Sequence, residues 1–185
     1  MSVRITIDDA EFQRVQGMLG EIAHKAPNVI ASSLNRSISN LNANIPKEVR
    51  KNYHIKAMDI KKTLKNFKAS SSNLSAKVIS NGKVLGLDKF KVSPKTVNPK
   101  RKSQLKIAIK QGGTKQILGA FVANIHGTKI FKRDGKTRLP VARLMGPSIP
   151  QMIGHEESVR QIESEAWAAY QRNLNYYVNH LLSRL

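Results

Sequence analysis

Residues 91 to 102 read Lys-Val-Ser-Pro-Lys-Thr-Val-Asn-Pro-Lys-Arg-Lys, with five bases (Lys91, Lys95, Lys100, Arg101 and Lys102) and no acid. Ammonium and guanidinium groups spaced in this way neutralise negative charge by donating hydrogen bonds to phosphate or carboxylate oxygens. The two prolines bar the segment from a central strand, so a long exposed basic loop is predicted, either a binding loop or a merely solvated one. Immediately after it, Leu105, Ile107 and Ile109 alternate with Lys106, Ala108 and Lys110, the pattern of a strand with one apolar and one largely basic face. The five loop bases with Lys106 and Lys110 are therefore the candidate contacts for DNA or for an acidic partner.

The wider charge pattern points the same way. Of 32 Lys and Arg residues, 24 lie between Arg50 and Arg143, where the only acids are Asp59, Asp88 and Asp134. The flanks are nearly balanced, so the net charge of +20 is confined to the middle of the chain. A confined cationic block implies a surface facing a polyanion or an acidic protein. Aromatic residues make up only 5% of the chain, which favours phosphate contact over base stacking.

Catalytic chemistry finds little support. His24, His54, His126, His155 and His180 are scattered without metal-ligand spacing, and there is no cysteine. Asp59 suits a helix start, Asp88 a strand end and Asp134 an Asp-Gly turn. Gly82, Gly86, Gly112, Gly113 and Gly119 lack the Gly-Lys-Ser/Thr context of a phosphate-binding loop. No enzymatic activity, metal or cofactor is expected. The longest apolar run, residues 117 to 123, falls far short of the ~20 residues that span a bilayer, so no membrane insertion is expected. The N-terminus lacks the apolar run of a secretory signal, so a chain that is cytosolic when made is expected.

These residues need a scaffold, and the periodicity predicts an α+β fold in one domain over 1–185. Its parts are N-terminal helices (1–69), a central antiparallel sheet or small barrel carrying the basic loop (70–143), a Pro/Gly strap (144–154) and a long C-terminal helix (155–185). Val3, Ile5 and Ile7 read as a strand. A helix over 9–24 follows, then a second from Pro27 with Ile30, Leu34, Ile38, Leu41 and Ile45 inward. Pro46 should end or kink that helix, or open a third short one over 47–53. Ile60, Leu64 and Phe67 predict a basic amphipathic helix over 57–67, with Lys61, Lys62, Lys65 and Lys68 either solvated or on phosphate. Asn81-Gly82 signals a hairpin between 74–79 and 84–90, and Asp134-Gly135 another between 129–133 and 137–142, with a further strand at 121–125. The strap should be non-helical, with Leu144, Met145, Ile149, Met152 and Ile153 packed on the chain's own sheet or on a neighbour. Candidate subunit-interface residues are Leu144, Met145, Pro147, Ile149, Met152, Trp167 and Tyr170. The last helix either closes the core or reaches partly beyond it.

The string Arg138-Leu139-Pro140-Val141-Ala142-Arg143-Leu144-Met145-Gly146-Pro147-Ser148-Ile149-Pro150-Gln151-Met152-Ile153-Gly154 resembles the hallmark segment of the phage minor tail protein Z family. These are tail completion proteins of lambda-like phages and prophages. Lys132-Arg133-Asp134-Gly135-Lys136, Leu34-Asn35-Arg36 and Tyr53-His54-Ile55-Lys56-Ala57 with Asp59-Ile60 also look like that family, in the same order. The resemblance implies a non-catalytic structural protein of the virion, at the head-proximal end of the tail. It further implies a homo-oligomer with a hexameric ring as the natural form, and other tail and neck proteins as partners. On that basis the leading expectation is that the basic set faces double-stranded DNA in a channel, without sequence preference. Two alternatives remain: docking onto acidic tail or neck proteins without DNA contact, and a free-standing basic nucleic-acid-binding protein.

Overall fold

The computed structural model describes residues 1–184, and its chain opens with the predicted strand, β1 (Ser2–Thr6), which turns Val3 and Ile5 into the core. Asp8 caps α1 (Asp9–Leu19), its carboxylate accepting the Glu11 N–H at 2.8 Å. That helix stops short of residue 24 because Gly20 takes a φ of 54°, a conformation glycine reaches freely, and the chain tightens into a 3₁₀ segment, Gly20–Lys25.

The next helix, α2 (Ala26–Asn52), departs from expectation by running through Pro46 as one element of 27 residues. Pro46 has no N–H for the Asn42 carbonyl, an interruption that costs about 3 kcal/mol. Against that, Ile45, Pro46 and Val49 are buried together, and each large apolar side chain taken from water contributes about 1.5–3 kcal/mol. The predicted inward face is buried throughout. A second face, Val29, Ser33 and Ser37, is buried as well, because each serine hydroxyl donates to the carbonyl four residues back at 2.7 Å. Satisfied in this way, the small serines let another helix come close.

After α3 (Ala57–Lys61) the predicted helix gives way to β2 (Leu64–Phe67). Thr63 closes the turn, donating to the Ile60 carbonyl at 2.8 Å and meeting the Ser80 hydroxyl at 2.9 Å, and β2 then takes the open edge of β3 (Ser75–Ser80). Since β3 already lies between β1 and β2, Asn81-Gly82 closes no hairpin, and β4 (Val84–Gly86) leaves that sheet. A 3₁₀ turn, Leu87–Lys89, leads to β5 (Lys91–Ser93), β6 (Leu105–Ala108) and β7 (Lys115–Ile117), which form a second sheet in that order. The third sheet comprises β8 (Ala120–Asn124), β9 (Thr128–Arg133) and β10 (Val141–Arg143). There Val141 pairs with Arg133, so residues 134 to 140 form a longer connection than the expected turn over 134 to 136.

The strap is not wholly non-helical. It begins as β11 (Met145–Ser148), paired with β4, and continues as a short helix, α4 (Ile149–Ile153). A reciprocal cap produces that helix: the Ser148 hydroxyl accepts the Gln151 N–H, and the Gln151 side chain accepts the Ser148 N–H at 2.9 Å, with Pro150 in the first turn. The chain is thus α+β as expected, but the single central sheet or barrel is replaced by four small antiparallel sheets, and none closes into a barrel among the described residues.

The last helix, α5 (Glu156–Leu182), lies along α2 for much of a length of about 40 Å. Ile162, Ala166, Tyr170, Leu174 and Val178 face inward, and Asn173 donates to the Ser37 hydroxyl at 2.9 Å. Arg14 reaches across from α1 to Gln171 at 2.9 Å and clasps Glu11 with two hydrogen bonds of 2.7 Å. That clasp holds the Glu11 carboxyl below its ordinary range. Burial, with the Glu11 charge beside it, pushes the Tyr170 phenol well up.

Two measurements check this frame. A Cβ on Gly146 would sit 2.8 Å from the Phe90 ring and 3.1 Å from Leu87, so Gly146→Ala should lower the stability seen in urea unfolding by about 1–3 kcal/mol. Gly113→Ala, which meets no atom within 4 Å, should cost much less. Because Glu11 has a depressed folded-state pKa, its contribution is present above the ordinary value of 4.5 and is lost as pH falls through the folded value. The acid-side fall in Tm should accordingly be shallower in Glu11→Gln.

Candidate functional site

Two backbone hydrogen bonds join the C-terminal end of α2 to the end of β6. His54 N–H donates to the Ile109 carbonyl at 2.8 Å and Gln111 N–H donates to the Asn52 carbonyl at 2.9 Å, together making one antiparallel bridge between Tyr53 and Lys110. The Gln111 side chain adds a bond to the Arg50 carbonyl at 3.2 Å. This junction brings residues from opposite sides of the sequence around one open groove. Arg50, His54 and Lys56 line one side, and Lys89, Lys91 and Lys95 the other. Its floor is Tyr53, Ile55 and Phe90, all buried.

The seven predicted bases do not form one cluster. Lys91 and Lys95 belong to the groove, and Lys110 holds its ammonium 6.0 Å from the centre of the Tyr53 ring. Lys106 stands exposed in the middle of the second sheet, beside Ser93 on β5 and Gln116 on β7. Lys100, Arg101 and Lys102 lie farther along the loop, which is ordered rather than free. The Arg101 guanidinium donates to the Thr96 carbonyl at 2.6 Å and to its hydroxyl at 3.1 Å, while Asn98 accepts the Lys100 N–H at 3.0 Å and the Arg101 N–H at 3.2 Å. Val97 to Ser103 fold toward β8 and Arg133, and Lys100 and Lys102 remain exposed. Arg101 is therefore largely a fastener of its own loop.

Carboxylates do little to neutralise this surface. Between Arg50 and Arg143, three of the 24 bases reach an acid at ion-pairing distance among the described residues: Lys51 with Glu48, Lys89 with Asp59 at 3.8 Å, and Arg143 with Asp88 at 2.8 Å. The Arg143–Asp88 pair lies directly over Gly86, where a Cβ would collide with both side chains. Among the described residues no group of three or more His, Asp or Glu side chains is placed to hold a metal, and no helix is long and apolar enough to cross a membrane. Arg50, His54, Lys56 and Lys89 were absent from the sequence-derived set. Lys89 neighbours Lys91 in the sequence, whereas Arg50, His54 and Lys56 meet Lys91 and Lys95 only through the α2–β6 junction, which charge pattern and periodicity do not mark.

The apolar residues expected at a subunit interface divide by burial. Ile149 and Met152 are turned into the chain's own core by the α4 cap, and Tyr170 is buried against α2 and α1. Leu144 and Pro147 are half-buried. Met145 at 44% and Trp167 at 45% exposure are left open to solvent. Asn35, from the Leu34-Asn35-Arg36 string, clamps the backbone of Ala69, donating to its carbonyl at 3.0 Å and accepting its N–H at 2.8 Å, and so ties the β2–β3 connection to α2.

Residues 14–184 match the family model described as Prophage minor tail protein Z (GPZ). No curated protein and no solved structure matches the chain.

The fastening of the basic loop is directly measurable. Arg101→Ala should raise amide hydrogen exchange across Thr96 to Ser103 by about tenfold, in line with the loss of one or two hydrogen bonds of about 1 kcal/mol. Lys100→Ala, whose side chain holds nothing in the loop, should leave exchange unchanged.

Proposed function

The chain belongs to the prophage minor tail protein Z family, and we propose that it acts as a tail completion protein at the head-proximal end of the tail, in a ring that holds DNA without reading its sequence. Membership makes it a phage minor tail protein with a structural, virion-bound role and with other tail proteins as neighbours. The position at the head-tail junction, a hexameric ring, contacts with neck proteins and a cytoplasmic stage before assembly belong to the proposal.

The observation that carries the DNA contact is the unpaired state of the central bases. The groove bases, with Lys100, Lys102, Lys106 and Lys110, stand at the surface, and of these Lys89 alone has a carboxylate at ion-pairing distance among the described residues. Closing six chains of +20 into a ring brings like charges together, and a Debye length of about 8 Å screens them only in part. Duplex DNA offers one phosphate per ~1.7 Å of axis, and each cation placed against it releases condensed counterions. Lys91, Lys95, Lys100, Lys102, Lys106 and Lys110, spread over the second sheet and its loop, supply that contact, with Arg101 holding the loop in place. Contact confined to phosphate carries no base readout.

The test is affinity for duplex DNA as a function of salt. A plot of log affinity against log salt should fall linearly, by about 0.9 per phosphate contact, and should superimpose for unrelated sequences. A flat line, or a strong preference for one sequence, would remove DNA from the function and favour docking on acidic neighbours.

A further inference from the structure

We infer that the groove between the end of α2 and β5 is the principal seat of the DNA phosphate backbone, with Arg50, His54, Lys56, Lys89, Lys91 and Lys95 as its donors. This rests on the DNA reading above and shifts its centre from the tip of the basic loop to a built depression that the loop only borders.

Four observations support it. First, the cations come from two stretches far apart in the sequence, residues 50 to 56 and residues 89 to 95, yet they converge on one groove. Like charges held together lower stability unless a counter-charge is supplied, and the single carboxylate paired there, Asp59, reaches Lys89 at only 3.8 Å. An exposed pair that long is weak, so Lys89 is free to turn to a phosphate.

Second, the walls are preorganised. The His54–Ile109 and Gln111–Asn52 hydrogen bonds, which form the Tyr53–Lys110 bridge, fix the backbone from which the donors project, so little ordering remains to be done on binding. Third, the floor of Tyr53, Ile55 and Phe90 is an apolar bed of low polarisability, which concentrates the field of the rim cations into the groove. Fourth, those aromatic rings are buried beneath the rim. They offer no face on which a base could stack and no pocket for the apolar anchor that a protein partner uses for affinity. What remains accessible is a row of donors, and the matching ligand is a phosphodiester backbone.

The test compares two triple variants of the full chain that remove equal charge, against a duplex of mixed sequence across a salt series. One is Arg50→Gln, Lys56→Gln and Lys91→Gln in the groove. The other is Lys100→Gln, Lys102→Gln and Lys115→Gln outside it. The groove variant should reduce the salt slope by about 2 to 3, at roughly 0.9 per lost contact, and the outer variant by less than about 1.

A parallel measurement needs no substitution. When DNA is bound, acetylation of Lys56, Lys91 and Lys95 in the wild-type protein should fall severalfold, with Lys100 and Lys102 still labelled. Equal slope losses in both variants, or protection of Lys100 and Lys102 instead, would overturn the groove as the seat while leaving DNA binding intact. A flat salt response of the wild-type chain would overturn the DNA reading itself. Displacement of DNA by an equally charged polyglutamate at equal concentration would replace DNA with an acidic protein segment as the occupant.

Discussion

Burial of two faces of α2 is the constraint from which the rest of the structure follows. One face of this helix takes the large apolar residues Ile30, Leu34, Ile38, Leu41 and Ile45. Another takes Ser33 and Ser37 against α5, with Asn173 closing the contact. The helix's third face, with Asn28, Ser32, Arg36, Ala43 and Lys47, stays exposed, and three of its four bases, Lys47, Arg50 and Lys51, gather toward its C-terminal end. The remaining central charge is carried mainly on short strands, none longer than six residues, and on the loops between them. Small sheets with many edges display charge on several sides, which a barrel with a filled interior would do less readily.

That division of labour accounts for the chain's electrostatics. Acids and bases are balanced in the segments that build the helical frame, where Glu11 with Arg14 and Glu48 with Lys51 form local pairs. The β-rich segments receive bases almost alone; Asp88 is spent on Arg143, and Asp59 of α3 lies beside Lys89. The strap serves both layers. Its Gly146 passes under Phe90, so the ring that forms the groove floor is held in place by the Gly-Pro-Ser segment of the strap. Strap and candidate site are thereby linked by a packing contact, although neither Gly146 nor Phe90 carries charge.

Much of the helical frame was legible in the sequence, because a 3.6-residue apolar period survives in α1, α2 and α5 and reports burial directly. Where the reading failed, a local signal was overridden by a partner distant in sequence. Leu64 and Phe67 keep helical spacing, yet the open edge of β3 captures them as a strand. Asn81-Gly82 has hairpin chemistry, yet β3 already has two neighbours. Pro46 is a helix breaker, yet the burial around it carries the helix through. The serine face of α2 was hidden because serine reads as polar until its hydroxyl finds a carbonyl four residues back. For the candidate site, charge composition identified the basic block and the strand lysines. The groove itself depends on residues 50 to 56 meeting residues 89 to 95, and no periodicity encodes that junction.

The central claim is that the unpaired bases of the middle segment are neutralised by DNA inside an assembled particle. The most direct measurement is an image reconstruction of the intact head-tail junction at a resolution that shows side chains. The account predicts a ring of these chains with their grooves turned toward the channel and DNA backbone density within hydrogen-bonding reach of Arg50, Lys56 and Lys91. A ring whose grooves face acidic protein neighbours or open solvent, with DNA absent or out of reach, would contradict it.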